Sequence, residues 1–174
     1  MRLSGGPTQD EILAISLSKL SPDKNEIMAD IGCGTCKVSI AASGLVKKVI
    51  AIDRRTEAIN YSKTEIEASG AKNIELIAGE ASEILNRVEN PDCAFIGGSG
   101  NIETVLEILV AKDCKRVVIN AVLLNTVTKA VNTLKKLGIF EEIIHVQVSS
   151  SYTLADDIML KPKNPVYIIV GRIK

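Results

Sequence analysis

Five short apolar runs alternate with segments of helical spacing, and this alternation limits the fold more than any other feature of the chain. The runs are Ile27 to Ile31, Val49 to Ile52, Ile74 to Ile77, Asp92 to Ile96 and Arg116 to Ala121. Each is four to six residues long, and their near-continuous apolarity fits strands buried on both faces. The intervening segments suit crossover helices. Val38, Ile40, Ala41 and Ala42 lead to Gly44, and Thr56 to Ser69 stops at Gly70. A short helix is expected within Glu80 to Val88, and longer ones over Ile102 to Lys112 and Asn125 to Leu137. Gln9 to Leu20 reads as a helix ahead of the first strand, with Thr8 as its N-cap. Glu141 to Ser150 alternates as a sixth strand, and Val166 to Ile173 forms a seventh, antiparallel beside it. Ser149 to Asn164 reads as a polar loop. The expected architecture is α/β: a seven-stranded, mostly parallel, doubly wound sheet in a single domain, 1–174.

Ligands of such sheets bind at the carboxyl ends of the strands. Two glycine turns fall there, Gly32-Cys-Gly34 after the first strand and Gly97-Gly-Ser-Gly100 after the fourth. Glycines let a backbone approach a ligand closely. Asp30, two places before the first glycine, suits a ligand with a positive end, such as the ammonium of a methionine moiety, and sits badly beside a pyrophosphate. The dinucleotide fingerprint also needs a third glycine three residues after the second, where this chain has Lys37. Asp53 closes the second strand and can accept hydrogen bonds from both hydroxyls of a ribose. Glu80 and Ala81, after the third strand, are placed for an adenine amino group and ring. Each has a plainer reading: Asp53 as an N-cap, Glu80 as a helix-start acid, the turns as ordinary connections.

Lys plus Arg equals Asp plus Glu at 21 each, and aromatic residues make up only 3%. No global field favours nucleic acid or an anionic membrane, and few rings are available to stack on bases. No apolar run reaches transmembrane length. With no signal-peptide pattern at the start, a cytoplasmic location is expected. Four cysteines, Cys33, Cys36, Cys93 and Cys114, then sit in a reducing compartment. Cys33-Gly-Thr-Cys36 lacks the further ligands a zinc site needs, so no metal is expected. His145 and the pair Asp156 and Asp157 read as structural or solvated.

The order Gly6-Pro-Thr8, Asp30-Ile-Gly-Cys-Gly-Thr35, Ala51-Ile-Asp-Arg54, Gly97-Gly-Ser-Gly100, Ala121-Val-Leu-Leu124 and Asn164-Pro-Val166 spans nearly the whole chain. It resembles the cobalt-precorrin C15-methyltransferase (decarboxylating) family of anaerobic cobalamin biosynthesis, within the class I S-adenosylmethionine-dependent methyltransferases. The resemblance implies methylation of a corrinoid at C15 coupled to decarboxylation of the C12 acetate, with S-adenosylmethionine as cofactor. It implies cofactor contacts from Thr8, Gly32, Cys33, Gly34, Thr35, Cys36, Asp53, Glu80 and Ala81. Gly98, Ser99 and Gly100 are substrate-pocket candidates. Arg54, Arg55, Lys161 and Lys163 are candidates for the macrocycle carboxylates. A homotetramer is implied too, while a catalytic acid or base is not identified. A class I methyltransferase acting on another substrate, such as a tRNA base, is the alternative. Two positions depart from the family's pattern: Cys36 stands where a third glycine is usual, and Glu80 where aspartate is usual.

Overall fold

A computed structural model describes residues 6–98 and 100–173. The main sheet has seven strands in the order β3-β2-β1-β4-β5-β9-β6. Its parallel strands are β1 (Ile27–Ile31), β2 (Lys48–Asp53), β3 (Ile74–Ala78), β4 (Cys93–Ile96) and β5 (Arg116–Ala121). β9 (Val166–Arg172) runs antiparallel between β5 and β6 (Phe140–Val146). The expected seven-stranded doubly wound sheet is therefore the observed one.

Strand alternation divides the core into two layers. Ala29, Ile31, Ile50, Ile52, Ala94, Ile96, Val117 and Ile119 share one cluster with Leu106 and Leu109 of α5 (Ile102–Ala111) and Ala130 and Leu134 of α6 (Leu124–Lys136). Ile84 of α4 (Ala81–Ile84) packs on the same side. Met28, Val49, Cys93, Phe95 and Val118 lie on the other face. They meet Ile12 and Leu20 of α1 (Asp10–Leu20) and Val38 and Ala42 of α2 (Lys37–Ser43). Ala51 continues that face toward Ile66 of α3 (Thr56–Ser69). Helices on both faces explain why the parallel strands carry unbroken apolar runs.

From β1 the chain winds through β2 to β3 on one side, then crosses to β4 on the other. Ile31 pairs with Ile52 and with Ile96, so the carboxyl ends of β1, β2 and β4 are level. The reversal of winding opens a crevice there, between the loops after β1 and β4.

Two expectations give way. Thr8 does not cap α1: the N-cap is Gln9, and no side chain caps the helix. The loop expected over Ser149 to Asn164 contains a hairpin, β7 (Ser149–Leu154) paired with β8 (Asp157–Pro162), and β6 ends at Val146. The turn residues Ala155 and Asp156 both have positive φ, at 49° and 65°. Two-residue hairpin turns of this kind usually carry Asn or Gly, and Ala155 gives no such signal. The hairpin is a separate two-stranded sheet, exposed along nearly its whole length.

Candidate active site

A cavity of about 660 Å³ opens at the level ends of β1, β2, β4 and β5. Ile31, Ile52, Phe95, Asn120 and Ala121 form its base, and both glycine turns form its rim. Gly6, Pro7, Thr8 and Gln9 cover one side, and Gly79, Glu80 and Ala81 another. The exposed Val122 and Leu123 extend an apolar lip. This size and mixture suit a small ligand held by a few polar groups.

The two turns touch. Gly32 has φ 73°, and a Cβ built on it would stand 2.7 Å from the Gly98 backbone nitrogen. Gly32 and Cys33 donate their backbone N–H groups to Ile52 O at 2.8 and 3.0 Å, which pins the turn to β2. Ser62 Oγ of α3 donates to Gly34 O at 2.7 Å. Lys37 at the start of α2 holds the amino-terminal segment down: Nζ donates to Thr8 O and pairs with Asp10, each at 2.7 Å. The residue that breaks the dinucleotide fingerprint thus fastens a wall of the cavity.

Asp53 is 4% exposed and anchors the opposite side. Its Oδ1 accepts the Arg55 backbone N–H and Nε–H, both at 3.0 Å. Its Oδ2 accepts the Gly34 backbone N–H at 3.0 Å and Arg55 Nη2–H at 2.9 Å. Burial alone would raise this carboxyl, but the Arg55 and Gly34 donors outweigh it and hold the acid below its usual range. Glu80 pairs with Arg54 Nη1 at 2.9 Å. Gln9 and Asn120, both in the wall, each keep a buried polar atom without a partner among the described residues: Gln9 Oε1 and Asn120 Nδ2. Buried polar atoms left without a partner are uncommon, and both of these lie beside the crevice.

Thr8, Gly32, Cys33, Gly34, Thr35, Asp53, Glu80, Ala81, Gly98 and Gly100 all line the cavity. Ser99 lies outside the described residues. Arg54 and Arg55 are in the wall, whereas Lys161 and Lys163 are not; Lys163 pairs with Glu11 at 3.5 Å. Sequence reasoning had no signal for Gln9 or Asn120, because a single amide in a helix start or a strand is unremarkable until the fold sets it beside the crevice.

Asp30 and Cys36 differ from expectation. Asp30 is fully buried and does not face the cavity. Strand alternation turns it with Met28 toward α2, where Ser39 Oγ donates to its Oδ2 at 2.5 Å. Cys36, at φ 56°, points into a buried cluster with Cys33 and Ala51. It therefore does not narrow the cavity. The Cys33 thiol, hydrogen-bonded to Cys36 and buried, is held above the usual thiol range, and the same bond lowers Cys36. Among the described residues no group of His, Cys, Asp and Glu is arranged for a metal ion.

Burial pushes the Asp30 carboxyl up to about 6, against the Ser39 hydrogen bonds that favour its charged form. The folded protein keeps a proton here over a range where the unfolded chain, at 3.8, has lost it. Stability from this group is complete below about pH 4 and is lost as pH rises through 6, by about 3 kcal/mol. Asp30→Asn removes the dependence. In urea titrations from about pH 4 to 7, wild type should lose about 3 kcal/mol relative to the variant; a constant difference contradicts the assignment.

The profile of the precorrin methyltransferase domain matches residues 3–171. The chain belongs to the precorrin methyltransferase family. A relative from Methanosarcina acetivorans, named "Probable cobalt-precorrin-6B C(15)-methyltransferase (decarboxylating)", is 45% identical, over 98% of this chain and 95% of its own. A solved structure from Methanobacterium thermoautotrophicum, described as precorrin 8W decarboxylase, superposes with a TM-score of 0.94 at 31% identity, covering 99% of this chain and 96% of that one. Another from Geobacter metallireducens, described as precorrin-6Y C5,15-methyltransferase, gives 0.93 at 32% identity, covering 99% and 94%. The crevice itself holds a glycine turn, the buried Asp53 carboxylate and an apolar lip.

Proposed function

We propose that this protein transfers a methyl group from S-adenosylmethionine to C15 of a cobalt-precorrin and releases the C12 acetate carboxyl as carbon dioxide, in the cytoplasm. The observation that carries the reading is the crevice at the level strand ends, where the Gly32–Gly34 turn lies directly against the Gly98 backbone and the Asp53 carboxylate stands in the wall beside it. The match along residues 3–171 and the named relatives supply the substrate class. Thr8, Gly32, Cys33, Gly34, Thr35, Asp53, Glu80 and Ala81 hold the cofactor in this reading, and the Val122–Leu123 lip meets the macrocycle. Cys36 supports the turn from beneath. When bound, the sulfonium supplies an electrophilic methyl group. The chain's part is to align that group with the accepting carbon and to keep water out. Isothermal calorimetry tests the cofactor: S-adenosylhomocysteine should bind and NADH should not. Heat with NADH alone contradicts the proposal.

The same reading takes the protein as a homo-oligomer, a tetramer by its resemblance. What supports it is the hairpin β7–β8, which exposes Ile158 and Leu160 together on one face, at 73% and 67%, with Leu154 at 52% on the other. A two-stranded hairpin is marginal alone in water, and clustered exposed apolar side chains usually have a partner. Further copies of the chain are the proposed cover. Joint Ile158→Asp and Leu160→Asp substitution should reduce the mass by sedimentation from oligomer to monomer. A monomeric wild type contradicts the proposal.

A further inference from the structure

The charged side chains among the described residues of the cavity wall are Lys37, Asp53, Arg54, Arg55 and Glu80. Four of them stand together at the ends of β2 and β3, where Asp53 pairs with Arg55 and Glu80 with Arg54. Lys37 stands apart, at the start of α2 behind the glycine turn of β1. β1 is the strand next to β2. A nucleoside held by Asp53, Glu80 and Ala81 fills the β2–β3 end, so the chain attached to its ribose runs toward β1 and Lys37. A lysine ammonium carries three donors. Among the described residues Lys37 Nζ has two acceptors, Thr8 O and Asp10 Oδ1, each at 2.7 Å. Those bonds fix the ammonium at the wall and leave its third N–H for a ligand. Asp10 is 87% exposed, so it screens the charge weakly. Asp30, expected to meet the ammonium of the cofactor tail, is buried under α2 instead. The charge present at this end of the crevice is therefore positive.

Resting on the methyltransferase reading, we propose that Lys37 receives the α-carboxylate of the cofactor's methionine tail. The carboxylate joins Thr8 O and Asp10 as the third acceptor around Nζ, and no existing bond has to break. A charge-assisted hydrogen bond of this kind is stronger than a neutral one. Because Nζ is already tied down on two sides, little side-chain freedom is lost when the ligand arrives. One side chain thus fastens the amino-terminal wall and recognises the end of the methyl donor that carries the carboxylate. Dinucleotide sites keep a glycine at this position, where a pyrophosphate comes close to the backbone. Here a side chain reaches back over the wall, and the ligand it suits is an amino-acid tail.

The test is calorimetry with two ligands, S-adenosylhomocysteine and its decarboxylated analogue, which keeps the thioether and the amine and lacks only the carboxylate. Wild type should prefer S-adenosylhomocysteine by about tenfold. Lys37→Gln removes the charge and keeps a donor for Thr8 O. It should bind S-adenosylhomocysteine about tenfold more weakly and show no preference between the ligands. Lys37→Arg keeps the charge and should retain most of the preference. Thermal melting checks the folding of both variants. A wild type that binds the two ligands equally overturns the proposal without any variant. So does a preference that survives in Lys37→Gln, whether affinity for both ligands falls together or stays the same; Lys37 then only fastens the Thr8 segment. Absence of binding of either ligand by wild type defeats the methyl-donor reading itself, an outcome separate from a wild type that binds both without preference.

Discussion

Asp53→Ala is expected to lower the affinity for S-adenosylhomocysteine by about a hundredfold. Two hydrogen bonds from a ribose diol to a carboxylate contribute about 3 kcal/mol together, which is two decades in the dissociation constant. Asp53 is 4% exposed and held by Gly34 and Arg55, so its oxygens are fixed before the ligand arrives. Truncation also leaves the Gly34 N–H without this acceptor and releases the guanidinium, at a cost of about 1–3 kcal/mol of stability. Calorimetry alongside a melting curve separates the two effects. Asp53→Asn, which keeps one acceptor, should fall between. Affinity within threefold of wild type in Asp53→Ala removes this acid from the ribose site.

The second large effect is at Gly32. Gly32→Ala places a Cβ 2.7 Å from Gly98 N and 2.8 Å from Gly98 Cα, and the obstacle is backbone that no rotamer change can clear. The position also has φ 73°, which costs a side chain about 1 kcal/mol or more. Overpacking adds about 1–3 kcal/mol. Together the variant should lose about 3 kcal/mol, a fall of roughly 10 °C in melting temperature for a chain of this size. Whatever remains folded should not bind S-adenosylhomocysteine, since the two turns that rim the crevice are forced apart. Gly44→Ala is the control: nothing lies within 4 Å of its Cβ and φ is −78°, so it should be neutral or slightly stabilising. Equal melting temperatures for both variants contradict the contact between the turns.

The parallel half of the sheet was legible because its signal is local. Ile27–Ile31, Arg116–Ala121 and Thr56–Ser69 have in the structure the bounds their apolar runs and glycine stops suggest. The hairpin was not legible. Its turn depends on positive φ at Ala155, a residue that seldom adopts it, and its first strand, Ser149–Leu154, is polar enough to pass for loop. Within the site, the residues near the glycine turns could be placed because strand ends converge in a doubly wound sheet. What sequence could not supply was side-chain direction. Asp30 precedes the turn by two places, yet strand alternation sends it under α2 to Ser39. Cys36 turns inward for a similar local reason, its left-handed backbone aiming it at Cys33 and Ala51. The bonding of Arg55 to Asp53 joins residues two apart, but two-point pairing needs the β2-to-α3 corner that only the folded chain defines. Gln9 and Asn120 lie in separate elements far apart along the chain, and only the fold sets both in the cavity wall.

The most direct measurement is incubation of the protein with cobalt-precorrin substrate and S-adenosylmethionine carrying an isotopically labelled methyl group, followed by mass analysis of the corrinoid. The account predicts one labelled methyl gained, one carbon dioxide lost, and the label located at C15. A corrinoid recovered unchanged, from protein shown by calorimetry to bind S-adenosylhomocysteine, would contradict it and leave a methyltransferase fold acting on a different acceptor.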